Sequence, residues 1–269
     1  MDGLLKEMFG LEGRAALVTG ASGGIGRELA LGLAAAGAVV GISGRSREQL
    51  EQTRLAIEAA GGRAVSLPAE LGGVQSCLKL VSGAKAALGR LDVLVNCAGM
   101  NRRKAIEQVT EEDFETIVNV NVRAVYFLSQ AAHAIMREQG GGKIIHVASL
   151  TSSIALGNTS VYGLAKAALA QLAKTQAVEW AKDNIQVNCL APGFVLTPLT
   201  EKPLWGDAKK REWLLGRIPA RRPGTPHEMV APVLLMAGAG SSYLTGQMIT
   251  VDGGVLAGGS WDDGAGPIS

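Results

Sequence analysis

The chain has 269 residues, 47% of them hydrophobic, and its 26 basic and 24 acidic residues leave a net charge of +2. This composition predicts a large apolar core and excludes a disordered chain, and the mixed charges provide no basic stripe for a nucleic acid. The three cysteines and three histidines are scattered without metal-ligand spacing, so we expect no metal site and a reduced, cytoplasmic protein. No apolar run approaches the roughly 20 residues that span a bilayer, and the N-terminus lacks the pattern of a signal peptide.

In chain order, short β-branched runs alternate with longer segments rich in Ala and Leu. The runs predict strands at residues 15–20, 38–43, 63–68, 91–96, 143–149, 185–192 and 247–254, and the segments predict helices at 25–36, 46–60, 73–88, 111–139, 159–182 and 226–237. Strands that are apolar throughout are typical of a parallel sheet covered by helices on both faces. We therefore expect one α/β domain over residues 1–256, with a doubly wound, seven-stranded parallel sheet.

Two stretches depart from this alternation. Residues 195–224 contain Pro and Trp, and long loops in compact domains often cover a site, so we interpret them as a lid. Trp205, Trp213 and Leu214 either close over the site or pack the lid onto the body of the protein or onto another subunit. Residues 257–269 are rich in glycine and polar residues and are expected to form a flexible C-terminal tail.

A glycine-rich turn, TGASGGIG at residues 19–26, lies between the first strand and the first helix of this pattern. Gly20, Gly24 and Gly26 permit a tight turn and close approach of a phosphate, and the helix N-terminus offers free amides to a pyrophosphate. The spacing is neither GxGxxG nor that of a P-loop. The turn therefore predicts nucleotide binding, with a merely flexible turn as the alternative.

The end of the second predicted strand bears on the kind of nucleotide. A carboxylate there would bind a ribose 2′-hydroxyl, whereas this chain has Gly44 followed by Arg45. A guanidinium can bind a phosphate with two hydrogen bonds, and Ser43 or Ser46 can assist it. We therefore expect NADP(H) rather than NAD(H), which stays possible because Arg45 could be a solvated loop charge.

Tyr162 and Lys166 are four residues apart in a predicted helix and share one face. A free phenol has a pKa near 10, and a nearby ammonium favours the phenolate, so Lys166 is expected to lower the pKa of Tyr162. An isolated pair of this kind is usually a surface contact. Ser149, however, ends the fifth predicted strand at the edge of the sheet where ligands bind, and its hydroxyl could hydrogen-bond a substrate oxygen.

The motifs in this order resemble those of the short-chain dehydrogenase/reductase family, over about residues 10–256. The resemblance rests on TGASGGIG (19–26), NCAG (96–99), VNV around Asn121, Ser149, YGLAK (162–166), PGFVLT (192–197) and VDGG (251–254). It implies a Rossmann fold, a nicotinamide cofactor and hydride transfer between a secondary alcohol and a ketone.

The resemblance also implies catalytic roles. Tyr162 would be the acid/base that exchanges a proton with the substrate oxygen, and Lys166 would lower its pKa and bind the nicotinamide ribose. Ser149 would polarise the substrate carbonyl, and Asn121 would hold a water that connects Lys166 to solvent. Asn119 lies two residues too early for this pattern.

Further residues would contact the cofactor on the same grounds. With Arg45, Tyr162 and Lys166, the set comprises Gly20, Ser22, Gly24, Ile25, Gly26, Glu70, Leu71, Asn96, Ala98, Gly99, Pro192, Gly193, Val195 and Thr197. Glu70 stands where the family usually has an Asp near the adenine and is one methylene longer. Cys97 replaces a common second Asn and is interpreted as a packing residue.

The substrate is a small molecule, for which Arg102 and Arg103 could bind a carboxylate, unless they form a solvated pair. The segments NCAGMNRR, RIPARRPG and VDGGVLAGG look most like the branch of gluconate 5-dehydrogenases and 2-deoxy-gluconate 3-dehydrogenases, which act on sugar acids. Two alternatives remain: a 3-oxoacyl-thioester reductase that meets a carrier protein through Arg102, Arg103 or Lys104, and a non-catalytic NADP(H)-binding module. The resemblance further implies a homotetramer.

Overall fold

The computed structural model describes residues 3–259, so most of the predicted tail, residues 260–269, lies outside the described part. Seven strands follow the predicted order: β1 (Ala15–Thr19), β2 (Val39–Ser43), β3 (Arg63–Ser66), β4 (Val93–Asn96), β5 (Gly142–Val147), β6 (Ile185–Pro192) and β7 (Met248–Val251). Between them lie helices α1 (Gly3–Phe9), α2 (Gly24–Ala35), α3 (Arg47–Ala59), α4 (Val74–Leu88), α5 (Glu111–Val118), α6 (Ala124–Glu138), α7 (Ser160–Trp180), α8 (Pro198–Thr200), α9 (Ala208–Arg217) and α10 (Val230–Ala237).

The strands form one parallel sheet in the order β3-β2-β1-β4-β5-β6-β7. This confirms the predicted doubly wound α/β fold. The order reverses between β1 and β4, and a crevice forms outside the carboxyl ends of the strands at such a reversal.

Both faces of the sheet are buried. Along β1, Ala16 and Val18 belong to one apolar cluster and Leu17 to another, because successive side chains of a strand point to opposite faces. Helices α2, α3 and α10 cover the first face, and α4, α6 and α7 cover the second. Each fully buried Val or Leu side chain stabilises the fold by about 1.5–3 kcal/mol. Because the two clusters hold the strands between the helices, they also hold the carboxyl ends of the strands in place.

The predicted helix over 111–139 is interrupted by a π-helical turn, Asn119–Arg123, which separates α5 from α6. At this turn the Asn121 side chain donates to the carbonyls of Met100 and Ile117, both at 2.9 Å, and accepts the Met100 amide at 3.3 Å. The π-turn thereby directs the side-chain amide of Asn121 to the loop after β4, at the edge of the crevice. Single π-turns of this kind are frequent at functional sites.

The predicted lid is helical and attached at both ends. Val195 and Gly224 form a parallel bridge, and between them lie α8, a π-turn (Glu201–Trp205) and α9. Trp205 and Leu214 are 8% and 2% exposed and belong to an apolar cluster that includes Leu150 and Phe194. These two side chains therefore pack the lid onto the body.

Trp213, in contrast, is 48% exposed, and the Arg217 guanidinium lies 4.6 Å from the centre of its ring. Its side chain therefore lies at the outer surface of the lid.

The N-terminal helix α1 was not predicted from the sequence. The carbonyl oxygen of Met8, in this helix, contacts the backbone at Gly238, where an added Cβ would lie only 2.2 Å from that oxygen. The packing of α1 therefore requires glycine at position 238. Among residues 3–259, no helix combines the length and the apolar character that crossing a membrane requires.

Candidate active site

A crevice of about 1120 Å³ lies at the carboxyl ends of the strands. It exceeds the roughly 300–1,000 Å³ typical of a site for one drug-sized ligand, and therefore has room for a dinucleotide and a second molecule. Most of the predicted site residues line it: Gly20, Ser22, Gly24, Ile25, Gly26, Arg45, Glu70, Leu71, Ala98, Gly99, Arg103, Ser149, Tyr162, Lys166, Pro192, Gly193, Val195 and Thr197. Three predicted residues lie outside this lining: Asn96, Arg102 and Asn121.

The glycine-rich turn after β1 depends on glycine at two positions. Gly20 has φ of 71°, and a Cβ there would lie 2.9 Å from the backbone nitrogen of Ala98. A Cβ at Gly26 would lie 2.2 Å from the Gly20 carbonyl oxygen. The turn therefore brings the N-terminus of α2 against the crevice, and no side chain caps that end of the helix. Its free amides suit a pyrophosphate.

The loop after β4 is held by Thr19 at the end of β1. The Thr19 Oγ1 accepts the backbone amides of Cys97 and Ala98, both at 3.1 Å, and donates to the Val95 carbonyl at 3.3 Å. Burial raises the pKa of the Cys97 thiol to about 11, so this cysteine is protonated at neutral pH. That agrees with a packing role for Cys97.

The end of β2 offers the groups expected for a 2′-phosphate. Arg45 is exposed at the crevice, and within residues 3–259 no hydrogen bond or ion pair engages its guanidinium. A Cβ at Gly44 would lie 2.7 Å from the Ser22 hydroxyl, so a larger residue at position 44 would require the Ser22 side chain to move.

Unpaired polar atoms concentrate at the crevice. Of six buried side-chain polar atoms without a partner in the described chain, four belong to lining residues: Arg27 Nε, Ser43 Oγ, Asn101 Oδ1 and Thr151 Oγ1. Leaving such a group unpaired costs about 1–3 kcal/mol, and native proteins leave few. Arg27 and Ser43 lie beside the glycine-rich turn and the end of β2, whereas Asn101 and Thr151 follow β4 and β5. The crevice therefore fits a polar dinucleotide at one end and a polar second ligand at the other.

Ser149, Tyr162 and Lys166 meet at the end of β5. Ser149 is 8% exposed, and its Oγ accepts the Thr151 amide at 3.1 Å, which leaves the hydroxyl hydrogen free to donate. Lys166 is 4% exposed, lies 5.6 Å from the centre of the Tyr162 ring, and donates to the Val147 carbonyl at 2.7 Å. The helix α7 thus places the phenol and the ammonium beside the serine, as their spacing predicted.

The pKa values differ from expectation. Burial raises the pKa of the Tyr162 phenol, and the Ser149 hydroxyl and the Arg103 charge oppose that rise. Burial also lowers the pKa of Lys166 to about 8. Among the protein's own groups, desolvation therefore outweighs the nearby charges, and the lowering of the phenol's pKa beside Lys166 and a cationic nicotinamide stays a prediction.

The Asn96 side chain faces the interior rather than the crevice, and its cofactor contact stays a prediction. It is 1% exposed, and its Nδ2 donates to Ser129 Oγ and His146 Nδ1, both at 3.1 Å. The His146 Nε2 lies 2.9 Å from Gln176 Oε1. These bonds join β4 and β5 to α6 and α7 beneath the site.

The side chains of Asn121 and Arg102 also bond within the protein, and their predicted roles stay predictions. Asn121 is fully buried, and its side chain holds the loop at Met100. Arg102 forms ion pairs with Glu112 and Asp113, both at 3.1 Å, so its charge is used within the protein.

Arg103 is the arginine of this loop that lines the crevice. It is exposed, and no hydrogen bond or ion pair within the described residues engages it. Its charge acts on Tyr162, which places it at the same end of the crevice as the phenol. Residues 3–259 contain no group of three or more His, Cys, Asp or Glu side chains arranged to hold a metal ion.

Comparison with known proteins agrees with this geometry. A family model described as "Enoyl-(Acyl carrier protein) reductase" matches residues 20–256. The chain belongs to the short-chain dehydrogenase/reductase family. As a member of this family it is an oxidoreductase.

Three relatives of this short-chain dehydrogenase/reductase illustrate the range of similarity. It is 39% identical over 257 residues to 2-dehydro-3-deoxy-D-gluconate 5-dehydrogenase of Escherichia coli, covering 94% of this chain and 100% of the relative. It is 36% identical over 246 residues to a 3-oxoacyl-[acyl-carrier-protein] reductase of Thermotoga maritima, covering 91% of this chain and 99% of the relative. The structure of a gluconate 5-dehydrogenase from Burkholderia cenocepacia in complex with NADP and tartrate superposes on this chain with a TM-score of 0.90 at 34% identity. The match covers 94% of this chain and 99% of the other.

Sequence reasoning missed several polar residues of the lining, including Arg27, Asn101 and Thr151. It also missed the apolar wall that Leu199, with Leu204 of the lid, contributes. Arg27 directly follows the glycine-rich motif, and Thr151 follows Ser149 by two residues, so proximity to the motifs was the available signal.

Proposed function

We propose that this chain interconverts a secondary alcohol and a ketone in a sugar acid or a similar polar hydroxy or keto compound, with NADP(H) as cofactor. The observation that carries the proposal is the meeting of Ser149, Tyr162 and Lys166 with the unpaired Arg103 at one end of the crevice. A hydride acceptor needs a proton and a hydrogen-bond donor at its oxygen, and these residues offer both.

Bound NADPH supplies the hydride in the direction of reduction. The Tyr162 phenol, whose pKa is raised, is protonated at neutral pH and gives its proton to the substrate oxygen as the carbonyl becomes an alcohol. Ser149 donates its free hydroxyl hydrogen to the same oxygen. Lys166 contributes a positive charge that favours the phenolate left behind.

Asn121 acts through the loop that it holds rather than by touching the substrate. Its hydrogen bonds to Met100 fix the segment that leads from Gly99 to Arg103. A Cβ at Gly99 would lie 2.8 Å from Asn121 Oδ1 and 3.4 Å from Lys166 Nζ, so the loop passes close to both.

The preference for NADP(H) over NAD(H) is supported by the end of β2. Arg45 has no partner within the described chain, Ser43 Oγ is unpaired, and position 44 carries no carboxylate. A 2′-phosphate would supply the missing partners, whereas a 2′-hydroxyl would leave the guanidinium unused.

A sugar acid is favoured because Arg103 can pair with its carboxylate. Such a charge-assisted hydrogen bond contributes about 1.5–3 kcal/mol, or roughly 10–150-fold in affinity. The alternative is a 3-oxoacyl thioester, for which Leu199 is the supporting observation, since this lining side chain is 72% exposed and could meet an acyl chain.

Consumption of NADPH by the purified chain tests the proposal. The substrates are 5-keto-D-gluconate and the N-acetylcysteamine thioester of acetoacetate, measured in parallel. We expect turnover of the keto sugar acid with the higher kcat/KM. Turnover of the thioester alone would refute the sugar-acid assignment and support the alternative.

We further propose a homotetramer in the cytoplasm. Exposed apolar side chains on α5, α6 and α7 support an interface there: Phe114, Tyr126, Leu164 and Val178 are 44%, 47%, 55% and 82% exposed. Three free cysteines suit a reducing compartment. Light scattering of the purified chain at several concentrations measures the assembly, and a mass of one chain throughout would refute it.

A further inference from the structure

Thr151 borders the crevice in the 3-10 turn Leu150–Ser152, two residues after Ser149. The residue is only 8% exposed, and its Oγ1 has no hydrogen-bond partner in the described chain. A buried hydroxyl without a partner costs about 1–3 kcal/mol. A hydroxyl or carbonyl of a ligand in the crevice would remove that cost.

The turn holds Thr151 beside the reacting groups. Its backbone amide donates to Ser149 Oγ at 3.1 Å, and the neighbouring Ser152 Oγ donates to the Lys166 carbonyl at 2.7 Å. The Thr151 carbonyl lies 3.7 Å from the position of a Cβ at Gly163, the residue after Tyr162. Thr151 is therefore next to the place where Ser149 and Tyr162 would hold a substrate carbonyl.

Another threonine of the same lining shows that the unpaired hydroxyl is particular to Thr151. Thr159 is 9% exposed and also borders the crevice, but its Oγ1 donates to the Leu156 carbonyl at 2.7 Å. The two residues have the same chemistry and similar burial. Of this pair, the hydroxyl of Thr151 is the one left for a ligand.

We propose that Thr151 is a specificity-determining residue whose hydroxyl hydrogen-bonds a hydroxyl group that the substrate carries near its reacting carbonyl. The inference rests on the proposed function and narrows its substrate class to hydroxylated keto acids. Oγ1 is buried in the described conformation, so the side chain must rotate to another staggered position to meet the substrate group. A substrate with methylene groups there leaves the hydroxyl unpaired.

Two keto acids of the same length test this proposal. Both 5-keto-D-gluconate and 5-oxohexanoate carry a carboxylate and a ketone at the same separation, but only the first carries hydroxyl groups. Thr151→Val should lower the kcat/KM for 5-keto-D-gluconate about tenfold relative to the kcat/KM for 5-oxohexanoate. A tenfold change corresponds to the loss of one hydrogen bond. If turnover of 5-oxohexanoate is too slow to measure, its inhibition constant replaces kcat/KM.

Two controls accompany the variant. Thr151→Ser keeps the hydroxyl and should keep the wild-type ratio, and Thr159→Val should also keep it because that hydroxyl is paired within the protein. An unchanged ratio in Thr151→Val, or an equal fall in Thr159→Val, overturns the inference while the proposed function stands. If the wild-type chain does not reduce 5-keto-D-gluconate at all, the proposed function fails and the inference falls with it.

Discussion

Lowering the pH from 6.5 to 4 should destabilise the folded chain through one buried imidazole, that of His146. The residue is fully buried on β5, and its Nδ1 lies 3.1 Å from the Nδ2 of Asn96, which can only donate. The proton of the neutral ring is therefore assigned to Nε2, which donates to Gln176 Oε1 at 2.9 Å. Protonation of Nδ1 would set two donors against each other and bury a charge.

The magnitude follows from the pKa. Burial lowers the pKa of His146 from 6.5 to about 4. Between these values the unfolded chain binds a proton that the folded chain does not, so stability falls as the pH falls through this window. At about 1.36 kcal/mol per pH unit, lowering the pH across this interval reduces the free energy of unfolding by about 3 kcal/mol.

His146→Gln provides the matched comparison, because a glutamine can accept from Asn96 and donate to Gln176 without titrating. Urea unfolding of both chains between pH 6.5 and 4 measures the difference. We expect the wild type to lose about 3 kcal/mol more than the variant over this range. The carboxylates of Asp92 and Asp113 have lowered pKa values and act alike in both chains. If the free energy of unfolding fell equally with pH in the wild type and in His146→Gln, the loss of stability could not be assigned to the His146 imidazole.

Three further substitutions address the candidate site. Tyr162→Phe should lower kcat about 10²–10⁴-fold with NADPH binding retained, as measured by steady-state kinetics and fluorescence titration, and undiminished turnover would contradict the role of the phenol. Arg45→Asp should reverse the preference for NADPH over NADH, measured as the ratio of kcat/KM values, and an unchanged ratio would show that Arg45 is only a solvated charge. Arg103→Ala should raise KM for a keto sugar acid roughly 10–150-fold, whereas Arg102→Ala should raise it much less, because Lys104 still pairs with Asp113 and holds the loop. Equal effects of the two alanine variants would argue against a carboxylate contact at Arg103.

The fold could be predicted from the sequence because its strands are short apolar runs with clear boundaries. β6, at Ile185–Pro192, has the predicted bounds, and the other strands differ by a few residues at their ends. Helix α1 was missed because a seven-residue segment with no buried residue shows no clear apolar periodicity. The π-turn Asn119–Arg123 was missed because it depends on a contact with the distant loop at Met100.

The site was predictable where residue spacing decides the geometry. Tyr162 and Lys166 share a face of α7 because they are four residues apart, and Ser149 follows a strand that ends at the crevice. The raised pKa of Tyr162 could not be predicted in the same way. It depends on how completely the surrounding protein removes the phenol from water, and the sequence does not contain that information.

Three residues that the sequence assigned to the site have side chains that bond within the protein. Asn96 joins β4 to His146, Asn121 holds the loop at Met100, and Arg102 binds that loop to α5 through Asp113. Asn121 and Arg102 support the segment that carries Arg103, whereas Asn96 joins β4 to β5 and α6 beneath the crevice. A motif residue can therefore matter for a site by fixing the frame on which the contacting groups are held, and only the hydrogen-bond partners distinguish the two cases.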